Sequence, residues 1–131
     1  MKRIGLVATF GIAVLASVFV MQGSSNASAA SCDGTNLNTG TTNSTCVKVA
    51  QQKVNQWACP GRALVVDGRY GPLTKGAITA FQADYNVFNA NFGASDIRVD
   101  GITGPQTWDA FNRYAYWDFV VTPNMGHCIY F

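Results

Sequence analysis

Residues Val66 to Phe81 read Val-Asp-Gly-Arg-Tyr-Gly-Pro-Leu-Thr-Lys-Gly-Ala-Ile-Thr-Ala-Phe. A related stretch begins 33 residues later, at Val99, and runs to Tyr114 as Val-Asp-Gly-Ile-Thr-Gly-Pro-Gln-Thr-Trp-Asp-Ala-Phe-Asn-Arg-Tyr. Seven of the sixteen aligned positions are identical, whereas chance would give about one. The pattern recurs only once, so it indicates an internal duplication and not a longer array of repeats.

Each copy predicts a tight turn followed by a helix. The Asp-Gly pair favours a turn, because glycine accepts a positive φ and an aspartate side chain can bond its own backbone two residues on. The Gly-Pro pair is typical of a helix start, since proline at the first helical position gives up an N–H that would be unpaired there. Gly71 and Gly104 are the predicted N-caps. The helices are predicted to run from Pro72 to about Tyr85 and from Pro105 to about Tyr114.

A further helix is predicted ahead of the duplication, from Cys46 to about Ala58, with Thr45 as its N-cap. The apolar residues of all three helices recur at helical spacing, which places them on one face of each helix. In this helix they are Val47, Ala50, Val54 and Trp57. In the duplicated helices they are Leu73, Ala77, Ile78, Phe81 and Tyr85, then Trp108, Phe111 and Ala115. The residues expected in the core are Trp57, Phe81 and Trp108.

Residues 1–29 have the features of a secretory signal peptide. Lys2 and Arg3 precede an uncharged apolar run from Ile4 to Met21, and Ala27-Ser-Ala29 is a small-residue cleavage site. The run is also long enough to be a membrane anchor. The polar residues and the cleavage site that follow it favour removal, so we expect a secreted protein, extracellular or associated with the cell wall, with no membrane contact after cleavage.

The mature part is large enough for one small domain. We divide it into a polar arm at 30–45, the domain proper at 46–114 and an aromatic tail at 115–131 that packs on the domain. The asparagine-rich stretch from Asn86 to Ile97 is predicted as a long loop or a ragged helix extension.

The mature domain carries no net charge. The whole chain has nine Lys and Arg residues and seven Asp residues, and two of the nine, Lys2 and Arg3, lie in the signal peptide. A neutral domain without a basic cluster is a poor binder of nucleic acids and anionic membranes.

The four cysteines Cys32, Cys46, Cys59 and Cys128 predict two disulfides in an exported protein. A bond between Cys46 and Cys59 is excluded by geometry, because the helix between them holds its ends about 18 Å apart and a disulfide needs Cα atoms within about 7 Å. Two pairings remain, 32–46 with 59–128 and 32–59 with 46–128. We favour the first, because it closes one short loop and ties down the tail.

Together these motifs resemble the peptidoglycan-binding domain of bacterial cell-wall hydrolases, the PGBD-like module. The resemblance extends from about Val47 to Arg113. It is carried by Gln51-Gln-Lys-Val-Asn55, Val66 to Thr74, Ala77 to Gln82 and Asp100 to Trp108. The chain departs from the family in the seventeen residues between Gln82 and Asp100, a longer connection than usual, and in the arm and tail outside the module.

The resemblance implies a mainly α fold. The expected architecture is a small three-helix PGBD-like bundle with Asp-Gly turns, short extended segments and an irregular tail tied by a disulfide. It also implies a secreted, non-catalytic module that binds peptidoglycan through the stem peptide, the glycan or both. The alternative is an exported adaptor or inhibitor that acts on a cell-wall enzyme through the same groove.

The mature chain lacks the residues of a catalytic site. It has one histidine, His127, whereas a zinc site would need two or three. A glycosidase needs a pair of carboxylates, but the chain has no glutamate, and two of its seven aspartates belong to the Asp-Gly turns. All cysteines are expected in disulfides, which leaves no free thiol nucleophile. We therefore expect no enzyme activity, no metal and no cofactor.

The two turn–helix units are expected to lie side by side and frame one shallow groove. Helix N-terminal N–H groups there could bind a peptide carboxylate or carbonyl. The candidate ligand-binding residues are Arg69, Tyr70, Asp100, Thr103 and Gln106.

Overall fold

The computed structural model describes residues 32–120 and 127–131, so the predicted signal peptide lies outside the described residues. The chain folds mainly into three α-helices: α1 (Ser44–Asn55), α2 (Pro72–Asn89) and α3 (Pro105–Val120). Among the described residues, β-pairing is limited to two isolated bridges, Leu37 with Thr103 and Ala58 with Ile129. This arrangement confirms the predicted three-helix fold. Within the same residues, no helix combines the length and the apolar character needed to cross a membrane.

The helix boundaries differ from the predicted ones. Asn43 is the N-cap of α1, since its Oδ1 accepts a hydrogen bond from Cys46 N at 3.2 Å, so the prediction of Thr45 was wrong. α1 ends at Asn55 because the next three residues form i→i+3 turns. The other two helices are longer than predicted: α2 reaches Asn89 and α3 reaches Val120. Residues 115–120 of the predicted irregular tail are therefore helical.

The centre of the core is an aromatic cluster contributed by α2, α3 and the turn after α1, and apolar residues of α1 pack around it. The ring centroids of Trp57 and Phe81 lie 5.2 Å apart, those of Phe81 and Phe111 lie 4.6 Å apart, and those of Trp57 and Tyr114 lie 5.0 Å apart. Each such pair contributes about 0.5–1.5 kcal/mol beyond the burial of its area. Trp57, Phe81 and Trp108 are all buried, as predicted.

Two disulfides attach the irregular ends to this core. Cys32 pairs with Cys46 and Cys59 pairs with Cys128, which confirms the favoured pairing and is plausible for an extracellular protein. The arm then reaches the turn before α3, where Leu37 and Thr103 exchange main-chain hydrogen bonds of 3.0 and 2.9 Å.

Candidate functional site

A buried glutamine from α1 holds the first Asp-Gly turn. The Gln51 amide Nε2 lies 2.9 Å from Asp67 Oδ1, 3.2 Å from Arg69 O and 3.1 Å from Thr74 Oγ1. Its Oε1 accepts a hydrogen bond of 3.0 Å from Gly68 N. One side chain thus joins the end of the turn to the start of the next helix.

Gln82 on α2 repeats this arrangement in the second copy. Its Nε2 lies 3.3 Å from Asp100 Oδ1 and 3.0 Å from both Ile102 O and Thr107 Oγ1. Its Oε1 accepts hydrogen bonds from Asp100 N at 3.1 Å and from Gly101 N at 2.8 Å. Helix α2 therefore serves both copies, as the second helix of one and the first helix of the other.

An asparagine four residues after each glutamine binds the segment that leads from the end of the helix back to the turn. Asn55 Nδ2 donates to Leu64 O at 2.8 Å, and Leu64 N donates back to Asn55 Oδ1 at 2.7 Å. Asn86 makes the same pair of bonds to Ile97, at 2.8 and 2.9 Å. The structural repeat is therefore a helix, the segment that leads back from its end, an Asp-Gly turn and a second helix. The shared Gln-x-x-x-Asn spacing is the sequence signal that could have predicted the roles of Gln82 and Asn86.

The aspartates belong to the turns. Asp67 Oδ1 accepts a hydrogen bond from Arg69 N at 2.9 Å, and Asp100 Oδ1 accepts one from Ile102 N at 2.8 Å. Hydrogen bonds from the Gln51 amide and the Arg69 main chain hold the pKa of the Asp67 carboxyl below its usual value. Asp67 is therefore ionised at neutral pH, and one of its oxygens is already engaged.

Replacing Gly101 by alanine is expected to lower the free energy of unfolding by about 2–4 kcal/mol. Gly101 has a φ of 70°, and an added Cβ would lie 2.7 Å from both Lys75 Cγ and Thr79 Oγ1. The matched control is Gly76→Ala in α2, where a Cβ meets nothing within 4 Å and a gain of about 0.5–1 kcal/mol is expected. Urea denaturation measures both, and equal effects would contradict the prediction.

Each turn and the helix start that follows it form the floor of a cleft. The first cleft has a volume of about 480 Å³ and the second a volume of about 360 Å³. Their floors contain the same residue types at equivalent positions of the duplication: Gln51, Asp67, Gly71, Pro72 and Thr74 in the first, and Gln82, Asp100, Gly104, Pro105 and Thr107 in the second. The structure thus has two related clefts in place of the single groove that we expected.

The rims of the two clefts differ. Val65, Arg69 and Leu73 of the first cleft correspond, 33 residues on, to Arg98, Ile102 and Gln106 of the second. Val65 and Leu73 are 80% and 81% exposed. The first rim is therefore apolar with arginine, whereas the second rim is mostly polar.

The five predicted ligand-binding residues are divided between these surfaces. Arg69 lines the first cleft, and Asp100 and Gln106 line the second. Tyr70 and Thr103 are buried in the domain and are not available to a ligand in either cleft. This differs from the prediction, which placed both side chains in an open groove.

Tyr70 and Thr103 instead join the two turns. The Tyr70 hydroxyl donates to Gly101 O at 2.8 Å and lies 3.0 Å from Thr103 Oγ1. Burial raises the pKa of Tyr70 to about 12, so the hydroxyl keeps its proton and this bond at physiological pH. The pair holds the two clefts in a fixed relation.

Leu73, Val65 and Phe131 were not among the predicted site residues, although all three line the first cleft. Leu73 matches the apolar spacing of α2, and its expected position was therefore on the buried face. It is the second residue of the helix, where the floor is already closed by Thr74 and Gln51. Its side chain consequently remains at the mouth of the cleft.

His127, which had no predicted role, contacts α2. Its Nε2 lies 2.8 Å from Asp84 Oδ1, and the other oxygen of Asp84 accepts a hydrogen bond from the Tyr114 hydroxyl at 2.9 Å. This contact holds His127, the first of residues 127–131, against helix α2.

The described residues contain no group of three or more His, Cys, Asp and Glu side chains that could hold a metal ion. A comparison with protein-family models, with curated proteins and with solved structures finds no match to this chain.

Proposed function

We propose that this chain is a secreted, non-catalytic module that binds peptidoglycan, and that the first cleft is its binding surface. The ordered motifs support the ligand class, because they resemble those of peptidoglycan-binding domains. The exposed pair Val65 and Leu73 at the mouth of the cleft, beside Arg62 and Arg69, supports the location.

The exposed apolar rim is the observation that carries this proposal. Exposed apolar groups rimmed by polar residues mark interaction sites, and ligand sites combine an apolar lining with a few polar groups that orient the ligand. The floor beneath this rim is held by Gln51, whose amide bonds the turn and the helix start. A rigid floor reduces the entropy that is lost when a ligand binds.

Peptidoglycan offers chemistry that suits this cleft. Its stem peptides consist largely of short aliphatic residues and carry carboxylates, and its glycan strands offer hydroxyls and amides. An apolar rim with two arginines can contact the peptide part directly. The mostly polar second cleft can make hydrogen bonds to either part.

Leu73→Gln is expected to weaken binding to purified peptidoglycan sacculi about ten- to hundred-fold, because a leucine that a ligand covers contributes roughly 1.5–3 kcal/mol. The change introduces the residue type that the second copy has at Gln106. The measurement is co-sedimentation of the oxidised protein with sacculi over a range of salt concentrations. The matched control is Val87→Gln, since Val87 is 72% exposed and lies outside the lining of the first cleft.

The alternative function, an exported adaptor or inhibitor of a cell-wall enzyme, would use the same exposed apolar pair. The two functions differ in sedimentation, because an adaptor should stay in solution when sacculi are pelleted. If the wild-type protein does not pellet while circular dichroism shows an intact fold, the peptidoglycan proposal is wrong. The partner-protein alternative then takes its place.

A further inference from the structure

The segment His127–Phe131 is attached to the bundle at several points. Its second residue, Cys128, forms the disulfide with Cys59. Ile129 pairs with the chain after α1, since Cys59 N donates to Ile129 O at 3.0 Å and Ile129 N donates to Trp57 O at 2.6 Å. We call these five residues the tethered segment.

The tethered segment places one aromatic residue inside the first cleft and one outside it. Successive side chains of an extended chain point to opposite sides, and Ile129 is buried in the core while Tyr130 is 70% exposed. Phe131, on the same side as Ile129, packs against the core and lines the first cleft. Phe131 therefore forms part of the wall of the same cleft as the start of α2.

Tyr130 positions an arginine at the same cleft. The Arg62 guanidinium carbon lies 4.1 Å from the centre of the Tyr130 ring, a cation–π distance. Arg62 Nη2 also donates to the Tyr130 hydroxyl at 2.6 Å. Arg62 itself lines the first cleft, so the tethered segment supplies the wall and orients one of the charges.

Two of the three charged side chains that line this cleft are basic. Its charged lining residues are Arg62, Arg69 and Asp67, and Asp67 Oδ1 already accepts hydrogen bonds from Gln51 and Arg69 N. Among the described residues, neither arginine forms a salt bridge with a carboxylate. Arginine binds carboxylates in a two-point geometry that neutral sugars do not offer.

We propose that the first cleft binds an extended aliphatic peptide that carries a carboxylate, with the tethered segment as one wall of the site. The aliphatic side chains contact Val65, Leu73 and Phe131, and the carboxylate binds Arg69 with Arg62 beside it. This inference rests on the proposed function and narrows it to the peptide part of peptidoglycan. None of the described residues that line the second cleft is aromatic. The N-terminal arm lies at the edge of this cleft, where a Cβ on Gly104 would be 2.8 Å from Asn36 Oδ1.

The test is an NMR titration of the isotope-labelled, oxidised protein with trialanine, compared with trialanine whose C-terminus is amidated. The free acid is expected to bind about ten-fold more tightly than the amide, because a hydrogen bond to a charged group is stronger than one to a neutral group. The methyl resonances of Val65 and Leu73 are expected to shift.

Three variants locate the contacts. Arg69→Gln is expected to abolish the preference for the free acid, whereas Arg98→Gln, which alters the second cleft, should leave it unchanged. Phe131→Ala is expected to weaken binding of both peptides, and an unchanged backbone spectrum shows that it folds. Equal binding of acid and amide by the wild type, full affinity in Phe131→Ala, or shifts confined to the second cleft would each overturn the inference.

The same protein in the sacculus assay separates the two proposals. If the protein pellets with sacculi but binds trialanine and its amide equally, the peptide assignment is wrong and the proposal of peptidoglycan binding is supported. Binding of trialanine through Arg69 without pelleting supports the peptide site and overturns the peptidoglycan assignment.

Discussion

Replacing Gln82 by methionine is expected to lower the free energy of unfolding by about 3–5 kcal/mol. Methionine has nearly the same length, so the change removes hydrogen bonds without opening a large cavity. The main-chain N–H groups of Asp100 and Gly101 both donate to Gln82 Oε1. Each buried donor that loses its partner lowers the free energy of unfolding by about 1–3 kcal/mol. Since small domains are stable by about 5–15 kcal/mol, a large fraction of the stability would be lost.

The control for this prediction is Gln52→Met, one residue from the equivalent glutamine Gln51. Gln52 is exposed on α1, and surface substitutions of this kind usually change stability by less than about 0.5 kcal/mol. Urea denaturation followed by tryptophan fluorescence measures both variants. A loss below about 1 kcal/mol in Gln82→Met would show that water or a neighbouring group replaces the amide.

Removing the Cys59–Cys128 disulfide, with both cysteines replaced by alanine, is expected to cost about 4 kcal/mol. The bond closes a sequence separation of 69 residues, and a long loop restricts the unfolded chain strongly. Removing Cys32–Cys46 in the same way is expected to cost about 3 kcal/mol, because its separation is only 14 residues.

Thermal unfolding monitored by circular dichroism compares these two double variants with the oxidised wild type. Hydrogen exchange adds a local readout, because the amide of Ile129 should lose protection in the first variant and keep it in the second. A larger loss for the short loop than for the long one would show that native-state packing, and not loop closure, determines the contribution of each bond.

The two copies of the duplication are alike on the floors of the clefts and differ on the rims. The residues that the two copies share form the floors of the clefts, where Gln51 and Gln82 satisfy the main-chain groups of the turns. The rims of the clefts differ at exposed positions such as Leu73 and Gln106, where substitution costs little stability. These positions can therefore change without loss of the fold.

Much of the fold follows from local sequence. The helix starts at Pro72 and Pro105 were predicted from Gly-Pro, and the structure has both helices begin there. The helix between Cys46 and Cys59 excluded one disulfide pairing, and the structure has the favoured one. These features could be predicted because they depend on backbone preferences and chain lengths over a few residues.

The candidate site depends instead on contacts between distant segments. Tyr70 is buried, and its hydroxyl donates to Gly101 O, 31 residues away. No local pattern in the sequence distinguishes such a buried tyrosine from an exposed one. Leu73 has helical spacing but lies at the mouth of a cleft whose far wall, Phe131, is 58 residues further along the chain. Periodicity predicts which residues share a face of a helix, whereas tertiary packing determines which part of that face is covered. Local sequence was therefore sufficient for the turns and for the starts of α2 and α3, whereas the ends of the helices and the position of the cleft were decided by the packing of distant segments on the bundle.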